Sequence, residues 1–181
     1  MTFIEKMIEK SKQNIKTIVL PESEDIRVLQ ATEKILNAGF ANIILIGNPE
    51  KIQELASQNK INLKGCNIIN NQTSDKLSKY SNDLYELRKN KGMTLDSAKE
   101  ILKTNSRYFA TMMVKEGDAD GFVSGAANPT SDTLRPALQI LKTAPGTKLV
   151  SAFFVMVSPD KTLGEDGVFV FGDCGLNEYP D

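Results

Sequence analysis

The most informative absence from this 181-residue sequence is histidine, which does not occur at all. Histidine is the commonest general base and the commonest metal ligand in proteins. Its absence argues against serine–histidine hydrolases and against most zinc enzymes. Any catalytic proton transfer must therefore use a carboxylate, a lysine, a tyrosine or a cysteine.

Cysteine is nearly absent as well, and the two residues, Cys66 and Cys174, lie far apart without CxxC spacing. This pattern suggests neither a disulfide framework nor a thiolate zinc site, and it favours a reducing compartment. The acidic neighbour Asp173 disfavours a reactive thiolate, so we interpret Cys174 as an ordinary buried or partly buried residue. The segment "GDADG" (117–121) predicts a turn, because the further acidic ligands of a calcium loop are missing. We therefore predict no metal site.

Charge of one sign and long apolar runs are also lacking. The 22 Lys and Arg residues almost balance the 23 Asp and Glu residues, and no long basic block occurs. Binding to nucleic acid is therefore not expected. Polar residues interrupt the apolar residues of the N-terminus, so it lacks the unbroken apolar segment of a signal peptide. No apolar run is long enough to cross a bilayer. We expect a cytoplasmic protein with no membrane partner.

What the sequence does contain is a regular alternation of strand and helix patterns. Buried strands are predicted at 17–20, 42–46, 65–70 and 121–125, and helices at 24–38, 49–58, 74–91, 95–104 and 106–116. Gly39 stands where a helix C-cap belongs. This alternation predicts an α/β fold: a doubly wound, mainly parallel sheet with helices on both faces, in three αβα layers. Ligands of such sheets bind beyond the carboxyl ends of the strands.

The pattern changes near Pro145. The runs "LVSAFFVMV" and "GVFVFGD" flank a polar loop and predict a β-hairpin rather than another βαβ unit. We therefore divide the chain into an N-terminal α/β domain, residues 1–145, and the incomplete beginning of a second α/β domain, residues 146–181. The second segment is too short to build its own core comfortably.

The loop and helix from Ser124 to Arg135 form a candidate phosphate site. A loop that follows a parallel strand and enters a helix directs free N–H groups at one point, where the helix dipole favours an anion. Gly125 permits close approach of the backbone, and Ser124, Asn128 and Thr130 offer polar side chains. Arg135 offers a bidentate positive charge.

A simpler interpretation stays open for the same segment. Ser131 or Thr133 can cap the helix while Arg135 lies along its surface. Pro136 fits early helix positions better than interior ones, so the helix start can be as late as Thr133. The pattern matches neither a Walker A sequence nor a GxGxxG fingerprint.

Arg88 lies in a second basic segment, "YELRKNKG", which precedes Gly92. Positive charges in the last turn of a helix complement the helix C-terminus, and this structural role explains Arg88, Lys89 and Lys91. The functional alternative is a docking point for a polyanionic ligand.

Several of these segments together resemble a known family. The blocks "LYELRKNKGMT", "YFATMMVKEGDADGFVSGAANPTSDTLRPALQILKTAPG" and "GVFVFGDCGLNEYPD" are similar to consecutive signatures of the phosphate acetyltransferases, also called phosphotransacetylases. The opening "IVLPESEDIRVLQATEKILNAGFANIILIGNPEKI" is similar to that family's first βαβ unit. The resemblance extends from Thr17 to Asp181.

The resemblance implies an activity and partners. Members of the family transfer an acetyl group reversibly between acetyl phosphate and coenzyme A, without a metal or a tightly bound cofactor, and coenzyme A is a substrate. They have two α/β domains and usually form homodimers. A typical member is nearly twice as long as this chain, which resembles the N-terminal half, and we expect the chain alone to be inactive.

The resemblance also implies roles for individual residues. Arg135 in "TLRPALQ" matches an arginine implicated in substrate binding, and Arg88 in "ELRKNKG" matches one proposed to contact a phosphate of coenzyme A. Ser124, Asn128 and Thr130 fall in the loop that borders the acyl phosphate. The family's catalytic serine and aspartate are expected beyond Asp181, so no catalytic residue is assigned in this chain.

Other functions remain open on the sequence alone. Phosphate butyryltransferase belongs to the same superfamily, as does the phosphotransacetylase-like domain of malic enzymes, although "LRPALQILKTAPG" favours the acetyl enzyme. A non-catalytic binding module made from half of the fold is a hypothesis of a different class.

Overall fold

A computed structural model of the protein, which describes residues 1–172, contains the predicted alternation of helices and strands. The helices are α1 (Phe3–Lys12), α2 (Ile26–Ala38), α3 (Pro49–Gln58), α4 (Leu77–Arg88), α5 (Leu95–Thr104), α6 (Ser106–Lys115) and α7 (Thr130–Ile140). The strands are β1 (Lys16–Leu20), β2 (Ala41–Ile46), β3 (Asn67–Ile69), β4 (Gly121–Phe122), β5 (Phe153–Val157) and β6 (Val168–Gly172). Cys174, and the interpretation given to it, lie outside the described residues.

A parallel sheet forms the centre of the fold. Its four strands lie in the order β3-β2-β1-β4, so β1 pairs with β2 on one side and with β4 on the other. Val19 of β1 is aligned with Ile44 of β2 and with Phe122 of β4. The strand order therefore reverses at β1, which makes the carboxyl ends of β1 and β4 a switch point of the sheet.

Alternate residues of the central strands supply the cores on the two faces of the sheet. Leu20 and Leu45 pack with Leu29 of α2 and Ile52 of α3 on one face. Val19 and the neighbouring residues of β2 pack on the other face against α4, α5, α6 and α7. Because successive side chains of a strand point to opposite faces, one short apolar run serves both cores. The predicted three-layer αβα architecture is confirmed.

Local capping explains several of the element ends. Asp25 accepts a hydrogen bond from the N–H of Arg27 and caps α2. Gly39 ends the same helix in the left-handed region, with φ at 67°, and its N–H donates to Ile35. Asn48 and Asn105 cap α3 and α6 with their side-chain oxygens. The prediction of a glycine C-cap at Gly39 is confirmed.

Several boundaries differ from the predictions. The helix predicted at 74–91 begins at Leu77, and its last turn, Lys89–Lys91, is a 3-10 helix. The strand predicted at 121–125 is only the two residues of β4; the N–H of Val123 still donates to Val19 of β1, but those of Gly125 and Ala126 donate to Glu22. Helix α7 begins at Thr130, and Pro136 lies inside it.

The contacts divide the chain into two compact units, one made of residues 9–142 and the other of residues 1–8 with the chain from residue 143. The parallel sheet belongs to the first unit. In the second, β5 and β6 pair antiparallel, with Val155 opposite Val170, so the predicted hairpin is confirmed. Its apolar side chains are largely exposed, and Phe153 and Val170 each expose 67% of their surface.

Candidate functional site

Glu22 binds the loop that connects β4 to α7. Its carboxylate accepts hydrogen bonds from the N–H groups of Gly125 at 2.7 Å, Ala126 at 2.8 Å and Ala127 at 3.2 Å. The side-chain amide of Asn128 adds a fourth at 2.6 Å. Glu22 lies two residues after the end of β1, so these bonds join the loops at the carboxyl ends of two adjacent parallel strands.

The buried carboxylate of Glu22 is stabilised in its ionised form. Burial alone raises the pKa of a carboxyl group, but the hydrogen bonds from Asn128 and from three backbone N–H groups outweigh it, and the pKa of Glu22 is lowered. The loop is thus folded around a negative charge that belongs to the protein. Two of the residues predicted to bind phosphate, Gly125 and Asn128, direct their donors at Glu22.

Arg27 strengthens the same junction from the start of α2. Its guanidinium pairs with Asp25 and also donates to the carbonyl oxygen of Ala126. Ala126 is therefore held on both sides, since its N–H donates to Glu22. The loop position is fixed by three residues of the segment that follows β1.

The first turn of α7 offers a second group of backbone donors. The N-cap residue is Pro129, and no side chain caps the helix. The N–H of Asp132 donates to the carbonyl of Pro129, so the N–H groups of Thr130 and Ser131 keep the anion-binding character of a helix N-terminus. Ser131 and Thr133 do not act as the N-cap; Thr133 instead donates to the hydroxyl of Ser124 at 3.4 Å. Thr130, Ser124 and this turn lie together.

The two arginines chosen from the sequence act on a common residue, Tyr108 of α6. Burial raises the pKa of the Tyr108 hydroxyl, and the positive charges of Arg135 and Arg88 oppose that rise without cancelling it. Arg135 is exposed on α7, whereas Arg88 ends α4. Two cations that are 47 positions apart in the sequence therefore lie within electrostatic range of the same hydroxyl.

Tyr108 also links α6 to α7. Its hydroxyl donates a hydrogen bond of 2.8 Å to the side-chain oxygen of Gln139, which lies one turn after Arg135 on α7.

The Nε atom of Arg88 is buried and has no hydrogen-bond partner within residues 1–172. A buried guanidinium donor without a partner is unfavourable, so Arg88 is suited to receive an anionic ligand.

Metal and membrane sites are not seen in the part of the chain that the structure describes. No group of three or more Cys, Asp or Glu side chains there can hold a metal ion. None of the helices α1 to α7 is long and apolar enough to cross a membrane.

Residues 2–181 match the protein family described as phosphate acetyl/butaryl transferase. The chain belongs to this family. Among curated relatives, the phosphate acetyltransferase of Acetivibrio thermocellus is 55% identical over 181 residues, and that of Clostridium acetobutylicum is 46% identical over 180 residues. These alignments cover 100% and 99% of this chain but only 54% of each relative. The chain thus spans about half the length of the curated relatives it matches.

Solved structures of phosphotransacetylases share the fold. The EutD phosphotransacetylase from Staphylococcus aureus superposes with a TM-score of 0.86 at 37% identity, covering 98% of this chain and 52% of that one. A phosphotransacetylase from Streptococcus pyogenes gives a TM-score of 0.88 at 33% identity, covering 99% of this chain and 54% of that one. Membership of the phosphate acetyl/butaryl transferase family therefore rests on sequence and fold together.

Sequence reasoning missed three residues of this family member's candidate site. Glu22 was visible only as part of "LPES" after the first strand, a position where a polar side chain reaches the switch point of a parallel sheet. Tyr108 and Gln139 carried no signal, because both fit the helical patterns around them.

Proposed function

We propose that this chain supplies the phosphate-binding side of a phosphate acetyltransferase, which moves an acetyl group reversibly between acetyl phosphate and coenzyme A. The observation that carries the proposal is that Arg88 and Arg135 both lie within electrostatic range of Tyr108. It is supported by curated relatives that are named phosphate acetyltransferases. Both substrates carry phosphate groups, which arginine binds with paired hydrogen bonds.

The reaction explains why cations and fixed donors are needed. The thiolate sulfur of coenzyme A bonds to the carbonyl carbon of acetyl phosphate, and the bond from that carbon to the phosphate oxygen breaks. Negative charge develops on the carbonyl oxygen and on the leaving phosphate. Donors that already point at these atoms lower the barrier, since they need no reorganisation during the reaction.

Arg135 and the first turn of α7 are the groups proposed to hold acetyl phosphate. Arg135 is exposed on the helix, so its guanidinium is accessible to a ligand. The uncapped N–H groups beginning at Thr130 add the positive end of the helix dipole. Ser124 lies beside this turn through its contact with Thr133. Its hydroxyl is proposed to border the phosphate.

Gly125 and Asn128 are proposed to shape the border of the same site. Their donors are engaged by Glu22, so they define the path of the loop while the hydroxyls and the α7 amides face the ligand. Arg88 is proposed to bind a phosphate of coenzyme A. Its unpartnered, buried Nε atom supports that role.

Further parts of the proposal concern the whole protein. The catalytic base is proposed to lie outside this chain, which alone is inactive, and coenzyme A acts as a substrate rather than as a bound cofactor. The complete enzyme is proposed to be a cytoplasmic homodimer. We also propose a domain boundary near residue 145, which the division of contacts between residues 142 and 143 supports.

The proposal is tested with the complete gene product by following thioester formation from coenzyme A. Acetyl phosphate and butyryl phosphate are compared as acyl donors under identical conditions. The expected result is a higher kcat/KM for acetyl phosphate, and phosphate-dependent consumption of acetyl-CoA in reverse. Preference for butyryl phosphate would identify a butyryltransferase instead. The absence of turnover with both donors would favour a binding module.

A further inference from the structure

A polar cavity of about 550 Å³ lies over the carboxyl ends of β1, β2 and β3. It is bordered by Glu22 after β1, Asn48 after β2 and Asn71 after β3. Arg88, Arg135 and the other residues of α7 are not among the residues that line it. Its volume falls in the range of roughly 300–1,000 Å³ that is typical of pockets for small organic ligands.

Three cations from three helices border this cavity: Lys51 of α3, Lys103 of α5 and Arg107 of α6. Within residues 1–172, none of them lies within salt-bridge distance of a carboxylate. The Nε atom of Arg107 is buried and has no hydrogen-bond partner there. The fold thus gathers three cations at one cavity, and none of them forms an ion pair within the described residues.

The carboxylates at the cavity wall do not balance these cations. Glu22 is engaged by the loop after β4, and Asp25 caps α2 and pairs with Arg27. Glu24 also lines the cavity and, like Lys51, is exposed to solvent. The lining charges that are not engaged within the described residues are therefore three cations and one carboxylate, Glu24.

The position of Arg107 points to the same conclusion. It lies in the first turn of α6, where a cation faces the positive end of the helix dipole. The start of α3, at Asn48 and Lys51, borders the same cavity. An anion bound between these two helix starts would relieve the repulsion and would supply the missing partner of Arg107.

We propose that this cavity binds a phosphate-bearing organic anion of nucleotide size, whose phosphate group is held by Lys51, Lys103 and Arg107. The inference does not rest on acetyl transfer. The cations of the cavity are different residues from Arg88 and Arg135, which are proposed to bind the substrates of acetyl transfer. The polar remainder of the cavity, which includes Asn71 and Gln72, accommodates the organic part of the ligand.

The test is a titration of the ¹⁵N-labelled protein, followed by NMR, with AMP, inorganic phosphate and adenosine at constant ionic strength. AMP is expected to shift the amide signals of Gly47, Asn48 and Asn71, and to bind at least about tenfold more tightly than adenosine or phosphate alone. Shifts confined to the first turn of α7, or equal affinities for AMP and adenosine, would overturn the proposal.

Substitutions separate this site from non-specific attraction of anions. Arg107→Gln and Lys51→Gln are each expected to weaken AMP binding at least about fivefold, since each removes a charge-assisted hydrogen bond. Lys51 is exposed, so the second variant tests the site even if Arg107→Gln impairs folding. Lys99→Gln removes an exposed cation of α5 outside the cavity and is expected to leave the affinity unchanged. Equal weakening in all three variants, or in none, would refute the site.

Discussion

The side-chain amide of Asn128 donates a hydrogen bond of 2.6 Å to the carboxylate of Glu22, which lies 106 residues earlier in the chain. The N–H groups of Gly125 and Ala126 donate to the same carboxylate. A buried anion of the protein therefore organises the loop after β4. The candidate substrate site depends on that loop, because α7 begins directly after it.

Glu22→Gln is expected to destabilise the protein. A glutamine side chain turns an N–H group toward backbone N–H groups that need an acceptor, so at least one donor loses its partner. The free energy of unfolding should fall by about 2 kcal/mol, a typical value for hydrogen bonds to a charged group. Urea unfolding measures the change. Glu24→Gln, at an exposed neighbouring position, is the control, and equal effects of the two variants would contradict this account.

The same carboxylate makes stability depend on pH in a predictable direction. Its hydrogen bonds lower the pKa of Glu22 despite burial, so folding favours the ionised form. Its contribution is complete above the unfolded pKa, about 4.3, and is lost as the pH falls through the lower folded value. As the pH falls below about 4.3, the unfolded pKa, the free energy of unfolding should decrease more for the wild-type protein than for Glu22→Gln. Parallel pH profiles for the two proteins would refute this expectation.

Tyr108→Phe tests whether the Tyr108–Gln139 bond positions α7. The substitution keeps the buried ring but leaves the Gln139 oxygen without its donor. We expect a loss of about 1 kcal/mol in stability and a roughly fivefold lower kcat/KM in the complete gene product. Tyr85→Phe is the control, because the Tyr85 hydroxyl makes no hydrogen bond within the described residues. A kcat/KM that does not change in Tyr108→Phe would exclude the positioning role.

Arg88→Ala is expected to weaken the binding of coenzyme A in the complete gene product. The Nε atom of Arg88 has no partner within residues 1–172, so its removal breaks no internal hydrogen bond at that atom. The KM for coenzyme A should rise roughly tenfold, which corresponds to about 1.4 kcal/mol of binding free energy. The KM for acetyl phosphate should change far less. Similar increases in both KM values would argue against a specific contact with coenzyme A.

Much of the fold could be predicted because its signals are local. The alternation of short apolar runs with helical patterns identified the parallel sheet, and Gly39 marked a helix end. Helix α1 was missed, although Ile4, Met7 and Ile8 recur at the spacing of an amphipathic helix. None of its residues is buried. The start of α7 was left uncertain because Pro136 suggested a later helix, whereas the structure accommodates this proline inside the helix.

The contacts of the candidate site were less predictable, because they join distant parts of the chain. Nothing near Glu22 in the sequence indicates that it meets Gly125, 103 residues later. Backbone donors of a loop can bind a phosphate group or a carboxylate equally well. Composition alone therefore does not distinguish a site for a phosphate ligand from a site for a carboxylate of the protein itself, such as Glu22. Arg88 and Arg135 were singled out from their segments and given roles by resemblance, but their common neighbour Tyr108 emerged only from the packing of α4, α6 and α7.

The most direct test of the central claim is the kcat/KM of Arg135→Ala for acetyl phosphate in the complete gene product, measured beside wild type and Lys99→Ala. Lys99 is an exposed cation on α5, so its variant controls for the loss of one positive charge. If Arg135 holds the phosphate during acetyl transfer, kcat/KM should fall at least about 100-fold, or about 2.7 kcal/mol, with the circular dichroism spectrum unchanged. A value for Arg135→Ala equal to that of Lys99→Ala would contradict the account.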